Sequence, residues 1–445
     1  MHSRCEFQPV GRRFVTQDTS DARTLETAVE PPAERNLRIN TISLILSSLV
    51  TGVLGLVFWG VAARLYPADE VGVAAAIISS AGILSTLSLL SIGRLYERFL
   101  PLAGTRTGPL LKMGLLVVSG TALLAGAGLS LLGPRHYLFE TGWGMAWYPV
   151  LVLVLAVFAL QDGATAGLGV AWWSAAKNAF HAAAKLVAVV VFVSAGSASA
   201  IVTAWGATAA AAAVFLLIAI RRRYRANARF LQAPNLPPSR ELWSYLGSSF
   251  GLTAVWSIGP LAVPLIVVAE LGPKANAYFA VAWAIVSALY FALHLVVSPY
   301  VAEVAAHPDK IRSLSWRLLQ MIAVVAVVGS VGLVLAGPIV LNMVGAEYRQ
   351  QGQALLYIAA VFIPVSAVSA VYEALARVHR KLKLMMVMWC SSAVVIVFGS
   401  IIGTRLLGVI GVGWVYLAAE SLSTAVLIVP AVRWLRQIAA GAAVL

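Results

Sequence analysis

Beyond residue 41 the chain alternates between long apolar runs and short polar breaks, and within the runs the apolar residues are continuous. Residues 150–160, VLVLVLAVFAL, carry no polar position on either face of a strand. A lipid-facing β-strand would alternate, so the pattern predicts helix. Twelve runs are long enough, or nearly so, to cross roughly 30 Å of hydrocarbon at about 1.5 Å per residue. They lie near 42–63, 71–93, 112–132, 147–169, 179–196, 199–220, 244–268, 276–299, 317–337, 353–375, 384–403 and 408–430.

The longest internal break, 221–243, is basic and contains Pro234, Pro237 and Pro238, and it divides the runs six and six. The halves echo each other across it. ARLYPADEVGVAAAII has a weaker counterpart in AELGPKANAYFAVAW, with Pro67 and Pro273 at comparable positions, and LLGPRHYLFETGWGMAWYP has one in LNMVGAEYRQQGQALLYIA. Because six is even, both halves insert with the same orientation, and a pseudo-two-fold axis along the membrane normal relates them. The expected fold is an all-α polytopic membrane protein with twelve transmembrane helices in two six-helix bundles. Its parts are a disordered cytosolic tail (1–40), an N-terminal bundle (41–220), the basic cytosolic linker (221–243), a C-terminal bundle (244–432) and a short cytosolic C-terminus (433–445).

Composition agrees. Of 445 residues 60% are hydrophobic and 11% charged, with mean hydropathy +0.87, more apolar surface than a water-soluble domain can hide. The net charge of +14 looks like a nucleic-acid signal until the charges are located. Of the basic residues, 26 fall in the termini and the connections after even-numbered runs, Lys177 among them. Five lie on the other side, Arg64, Arg135, Lys274, Arg349 and Arg405, and Lys185 remains within a span. This is the positive-inside pattern, and it predicts both termini in the cytosol and no nucleic-acid partner. The leader has six arginines and six acids without an apolar core, unlike a cleavable signal peptide. Cys5 and Cys390 make neither a disulfide framework nor a metal cluster. The sequence lacks a GxxxxGK[ST] loop and a Ser/His/Asp constellation, so neither a nucleotide-driven pump nor an enzyme is expected, and no cofactor.

An ionised group in hydrocarbon costs roughly 2.5–3.5 kcal/mol on insertion scales, so the exceptions carry information. Asp162 falls near the cytosolic end of span four and Lys185 about two turns into span five. A buried Asp162–Lys185 pair is one expectation; a Lys185 ammonium facing a cavity to attract an anionic phosphate is the other. His181, one turn before Lys185, enlarges that patch when protonated. Arg94 in SIGRLYERFLP anchors the cytosolic surface or meets a lipid-linked phosphate entering there, and Arg64 is its counterpart at the outward end of span one. Glu373 in VYEALARVH either pairs with Arg377 at i+4 or takes part in coupling. Glu420, deep in the last span, is a buried neutral or hydrogen-bonded carboxyl, or an ion or proton site. His294 reads as a hydrogen-bonded helix residue. Pro260, Pro264 and Pro364 mark helices able to kink around a cavity.

The pieces ARLYPADEVGVAAAI, SIGRLYERFLP, ALQDGATAGLGVAWWSAAKNAFHAAAKL and RLLGVIGVGWVYLAAESLSTAVL resemble the polysaccharide flippases of the multidrug/oligosaccharidyl-lipid/polysaccharide exporter superfamily, the third piece its actinobacterial-type members. The resemblance implies alternating access of two bundles around a central cavity. It also implies translocation of a polyprenyl-(pyro)phosphate-linked saccharide across the bacterial cytoplasmic (inner) membrane for cell-surface polysaccharide synthesis. Membrane lipids are then partners, as are glycosyltransferases or a polysaccharide polymerase. It makes Lys185, Arg94 and Arg64 the matches for basic cavity residues. Where many relatives have an arginine-rich patch after the Gln161–Asp162 pair, this chain has Gly167, Gly169 and Trp172. Two other readings stand beside this one: a proton- or sodium-coupled efflux antiporter for small molecules, and a non-transporting scaffold for glycan-assembly enzymes.

Overall fold

The computed structural model describes residues 50–132, 142–226 and 233–440. The expected tail at 1–40, Arg135 and Arg229 lie outside the described residues. Helices account for nearly all of what is described: α1 (Val50–Leu65), α2 (Ala68–Ser88), α3 (Ile92–Phe99), α4 (Thr107–Leu132), α5 (Gly142–Gly167), α6 (Trp172–Val191) and α7 (Ala198–Ala226) in the first half. The second half has α8 (Ser239–Leu271), α9 (Pro273–Leu295), α10 (Val297–Ala306), α11 (Ile311–Leu335), α12 (Gly337–Val344), α13 (Ala346–Val378), α14 (Lys383–Leu407) and α15 (Val409–Ala439).

Removing the short helices α3, α10 and α12 leaves six long helices in each half. Among the described residues, ten helices are long and apolar enough to cross a bilayer. Large apolar side chains cover their outer surfaces, with Leu124 and Phe215 each 76% exposed. That is an inside-out distribution for water and the expected one for lipid.

The short helices are where apolar continuity misleads. The second run predicts a span reaching residue 93, but α2 stops at Ser88. Leu90 and Ser91 then take left-handed backbone angles (φ 46° and 59°), and the chain restarts as α3. α10 interrupts the second half at the equivalent place, after its second long helix. The connections repeat as well. α5 ends in a turn with Gly169 at φ 74°, closed by Val170 N–H to the Thr165 carbonyl at 2.9 Å; α13 ends with Arg380 at φ 56°, closed by Lys381 N–H to the Ala376 carbonyl at 2.9 Å. Both are six-to-one helix terminations. Gly196 (φ 59°) and Gly408 (φ 64°) then turn the chain before the last helix of each half. A backbone feature that recurs in order is stronger testimony to duplication than similar composition.

We call the face shared by the basic connections the basic face. At the opposite face the two halves meet. The Asn276 side-chain amide donates to the Gly72 carbonyl at 2.7 Å, and a Cβ at Gly72 would collide with the backbone carbonyl of Pro273. Only glycine allows α2 and α9 to approach so closely. Arg64 donates to the Met343 carbonyl in the last turn of α12. At the basic face, Tyr245 of α8 packs on Phe99 of α3 (5.4 Å between rings) and under the Arg98 guanidinium at 5.0 Å.

Candidate functional site

The fifth run begins earlier than its hydropathy suggests. α6 starts at Trp172 rather than near 179, because Ala175, Lys177 and Asn178 are helical despite their mixed polarity. Lys177, which the charge count put in a cytosolic connection, is therefore a buried helix residue, only 6% exposed. At about 1.5 Å per residue, Lys177 lies about 8 Å and Lys185 about 20 Å from the start of α6, whereas Asp162 lies about 8 Å from the end of α5. Depth selects the partner. Lys177 Nζ meets Asp162 Oδ1 at 2.7 Å, also donates to the Phe158 carbonyl, and sits 3.6 Å over the Phe158 ring. The expected Asp162–Lys185 pair does not form.

Lys177, His181 and Lys185 follow at i, i+4 and i+8, within about 80° of arc on one helix face. All three are buried, while Phe180, Val187 and Val191, which flank this arc, are exposed. His181 Nδ1 is 3.1 Å from Thr208 Oγ1 on α7, and its ring packs edge-on to Phe158 (5.1 Å) and Trp205 (5.8 Å). Lys185 is 3% exposed. Its Nζ stands 3.5 Å from the Trp205 ring centroid and 5.1 Å from that of Phe58. Among the described residues it has neither a carboxylate at ion-pair distance nor a hydrogen bond. Cation–π contact returns about 2 kcal/mol when desolvated, less than the several kcal/mol that burying an unpaired ammonium costs. An ammonium there gains less from the two rings than its desolvation costs, which sets Lys185 apart from the Asp162-paired Lys177.

The C-terminal bundle has the opposite polarity. Glu420 on α15 is 5% exposed and accepts hydrogen bonds from Tyr290 Oη (3.0 Å) and Ser369 Oγ (3.4 Å). One helical turn from Tyr290, His294 Nδ1 is 2.8 Å from Glu373 Oε2, and Arg377 donates to the other oxygen of Glu373. The Glu373–Arg377 bond at i+4 is as expected, but the carboxylate is buried, not solvated. Tyr290, His294, Ser369 and Glu420 border a cavity of about 70 Å³, room for a few water molecules. Two buried polar atoms on its lining, His294 Nε2 and Tyr416 Oη, have no hydrogen-bond partner among the described residues.

The structure places His181 and Lys185 on one buried helix face and Glu420 and Glu373 on Tyr290 and His294, one turn apart on α9, while Arg94 and Arg64 lie away from both groups. Arg94 is exposed on α3 at the basic face, and Arg64 is engaged with Met343 at the opposite one. α3 is clamped to α5 because Gly163 and Gly167 have no side chain: a Cβ on either would strike the backbone of Gly93 or Tyr96. Gly167 and Gly169 thus serve a close approach and a left-handed turn, which accounts for glycine at those positions. On α3, outside the long helices, desolvation raises the Glu97 carboxyl above its ordinary value, Arg94 lowers it and Asp162 raises it further, so these three charges share one field. Sequence reasoning missed Phe58, Trp205, Thr208, Tyr290 and Tyr416. Trp205 had a signal: it is a lone large residue in TAWGATAAAAA, where all its neighbours are small.

No family model and no curated protein matches this chain. Solved structures do. An inward-facing multidrug resistance MATE family transporter of the MOP superfamily is 13% identical over 92% of this chain and 100% of its own, with TM-score 0.62. The lipid II flippase MurJ, in an inward closed conformation, is 11% identical over 90% of both chains, at 0.62. The MATE multidrug transporter DinF-BH, solved as a complex, is 16% identical over 94% of this chain and 98% of its own, at 0.60. The twelve-helix, two-bundle architecture of this multi-pass membrane protein is therefore the fold shared by these MOP superfamily transporters.

Proposed function

We propose that this protein is an exporter that carries a polyprenyl-(pyro)phosphate-linked saccharide across the cytoplasmic membrane, by rocking its two bundles between openings at either face. The observation that carries this reading is Lys185, a buried ammonium without a carboxylate partner among the described residues. A phosphate is the ligand class that such a charge lacks. On this reading Arg94 meets the phosphate at the cytosolic face, and Lys185, about 12 Å deeper along α6 than the Asp162-paired Lys177, offers the next positive position. The lipid tail stays in the bilayer and the sugar crosses between the bundles. Glu420 and Glu373 supply the coupling site, where a cation or proton biases the two conformations differently. The likeness to MurJ, a lipid II flippase, supports a lipid-linked substrate.

The test is leaflet-resolved accumulation of lipid-linked glycans in cells lacking the protein and complemented with either the natural chain or Lys185→Ala. The natural chain restores the outer-leaflet pool and Lys185→Ala does not. Full restoration by Lys185→Ala overturns the assignment. A second reading, efflux of small cations, is favoured by the acidic cavity around Glu420; in that case Glu420→Gln abolishes transport while Lys185→Ala leaves it intact.

A further inference from the structure

Phe58 on α1, Trp205 on α7 and Trp59 beside them form a cluster of mutually packed rings. Phe58 meets Trp59 edge-on at 5.3 Å and Trp205 at 5.1 Å, and the two indoles lie 6.1 Å apart. Into this cluster projects the Lys185 ammonium, at cation–π distance from two of the rings. Tryptophan is ordinarily concentrated at the membrane–water boundary, where its N–H is wet. Here Trp205 is only partly buried and is set about 10 Å along α7 among alanines and glycine. Rings arranged about an ammonium in this way are the architecture by which proteins recognise alkylated ammonium groups, which need no hydrogen-bond acceptor. Lys185 has no acceptor among the described residues either.

We propose that Phe58, Trp59 and Trp205 form an organic-cation site whose occupant is the chain's own Lys185, so that Lys185 determines which sign of charge the N-terminal bundle accepts. While the tethered ammonium fills the rings, a free organic cation is excluded twice, by occupancy and by like charge, and the bundle stays positive toward anions. Without Lys185 the same rings accept a quaternary ammonium ion, and the flanking His181 and Lys177–Asp162 groups change little. The inference concerns binding selectivity and stands whether or not the transported molecule is a lipid-linked sugar.

The probe is tetramethylammonium, titrated by equilibrium dialysis against the purified full chain in detergent. The natural protein is expected to bind it without saturation. Lys185→Ala should bind it saturably and at least about tenfold more tightly, the scale of one good cation–π contact. Lys185→Ala combined with Trp205→Ala should lose that gain. The proposal is overturned if Lys185→Ala binds no better than the natural chain, or if the double variant binds as well as the single one. Lys185→Gln is carried in parallel. If either variant folds only when tetramethylammonium is present, the rings have accepted it and the proposal stands; if neither folds with or without it, the rings cannot hold an external cation and the proposal falls. Loss of glycan transport in Lys185→Ala with unchanged cation binding would retain the proposed function and reject this selectivity role.

Discussion

Asp162 Oδ1 holds Lys177 Nζ at 2.7 Å, and that choice of partner leaves Lys185, two helical turns deeper, to the rings of Trp205 and Phe58. A single acid at the basic end of the bundle therefore divides two lysines on one helix face into a neutralised one and an available one.

Asp162→Asn should destabilise the protein by about 2 kcal/mol or more, because it leaves the buried Lys177 without its counter-charge, although the aspartate end of the pair is half open to solvent. Adding Lys177→Met should recover most of the loss. Thermal unfolding of the two single variants and the double variant checks this, and simple additivity would mean the pair carries no coupling.

Arg380 is a side-chain-bearing residue in a left-handed turn that its counterpart Gly169 occupies without strain. Arg380→Gly should raise stability by about 1 kcal/mol, and Gly169→Ala should lower it by about 1–2 kcal/mol. Melting temperatures of the two variants, measured side by side, should move in opposite directions.

Gly72→Val places branched carbon where the Pro273 carbonyl lies and removes the approach that lets Asn276 reach the Gly72 carbonyl. The contact between α2 and α9 should open at the face opposite the basic loops. In a background lacking Cys5 and Cys390, a cysteine introduced at Ala277, which is fully buried, should become reactive to a water-soluble maleimide. Unchanged protection would show that the backbone yields instead.

Glu420→Gln keeps the shape of the side chain and an oxygen to accept from Tyr290, with its amide group donating to Ser369 Oγ in place of the bond accepted from it, and removes the charge. On the proposed coupling role, accumulation against a gradient should fall by at least about tenfold while downhill exchange persists. Equal loss of both would mark Glu420 as a packing residue, since a coupling group is needed only where two conformations must be biased.

The sequence by itself determined the membrane class, the helical spans, the division into two like-oriented halves and the residues at which charge enters an apolar run. These follow from local facts: hydrocarbon demands internally satisfied backbone, and each buried charge announces itself against apolar neighbours. The identity of each charge's partner was decided only by the tertiary structure. Pairing depends on depth, and depth on where a helix starts, which the polar start of α6 concealed. The same holds for the aromatic groups. Phe58, Trp59 and Trp205 come from opposite ends of one bundle's chain, and nothing in the local pattern of any of them specifies an ammonium at its face. The breaks at Leu90 and Ser91 were hidden for a related reason: hydropathy records what a segment is dissolved in, whereas a left-handed turn is set by the packing of α3 against the glycines of α5.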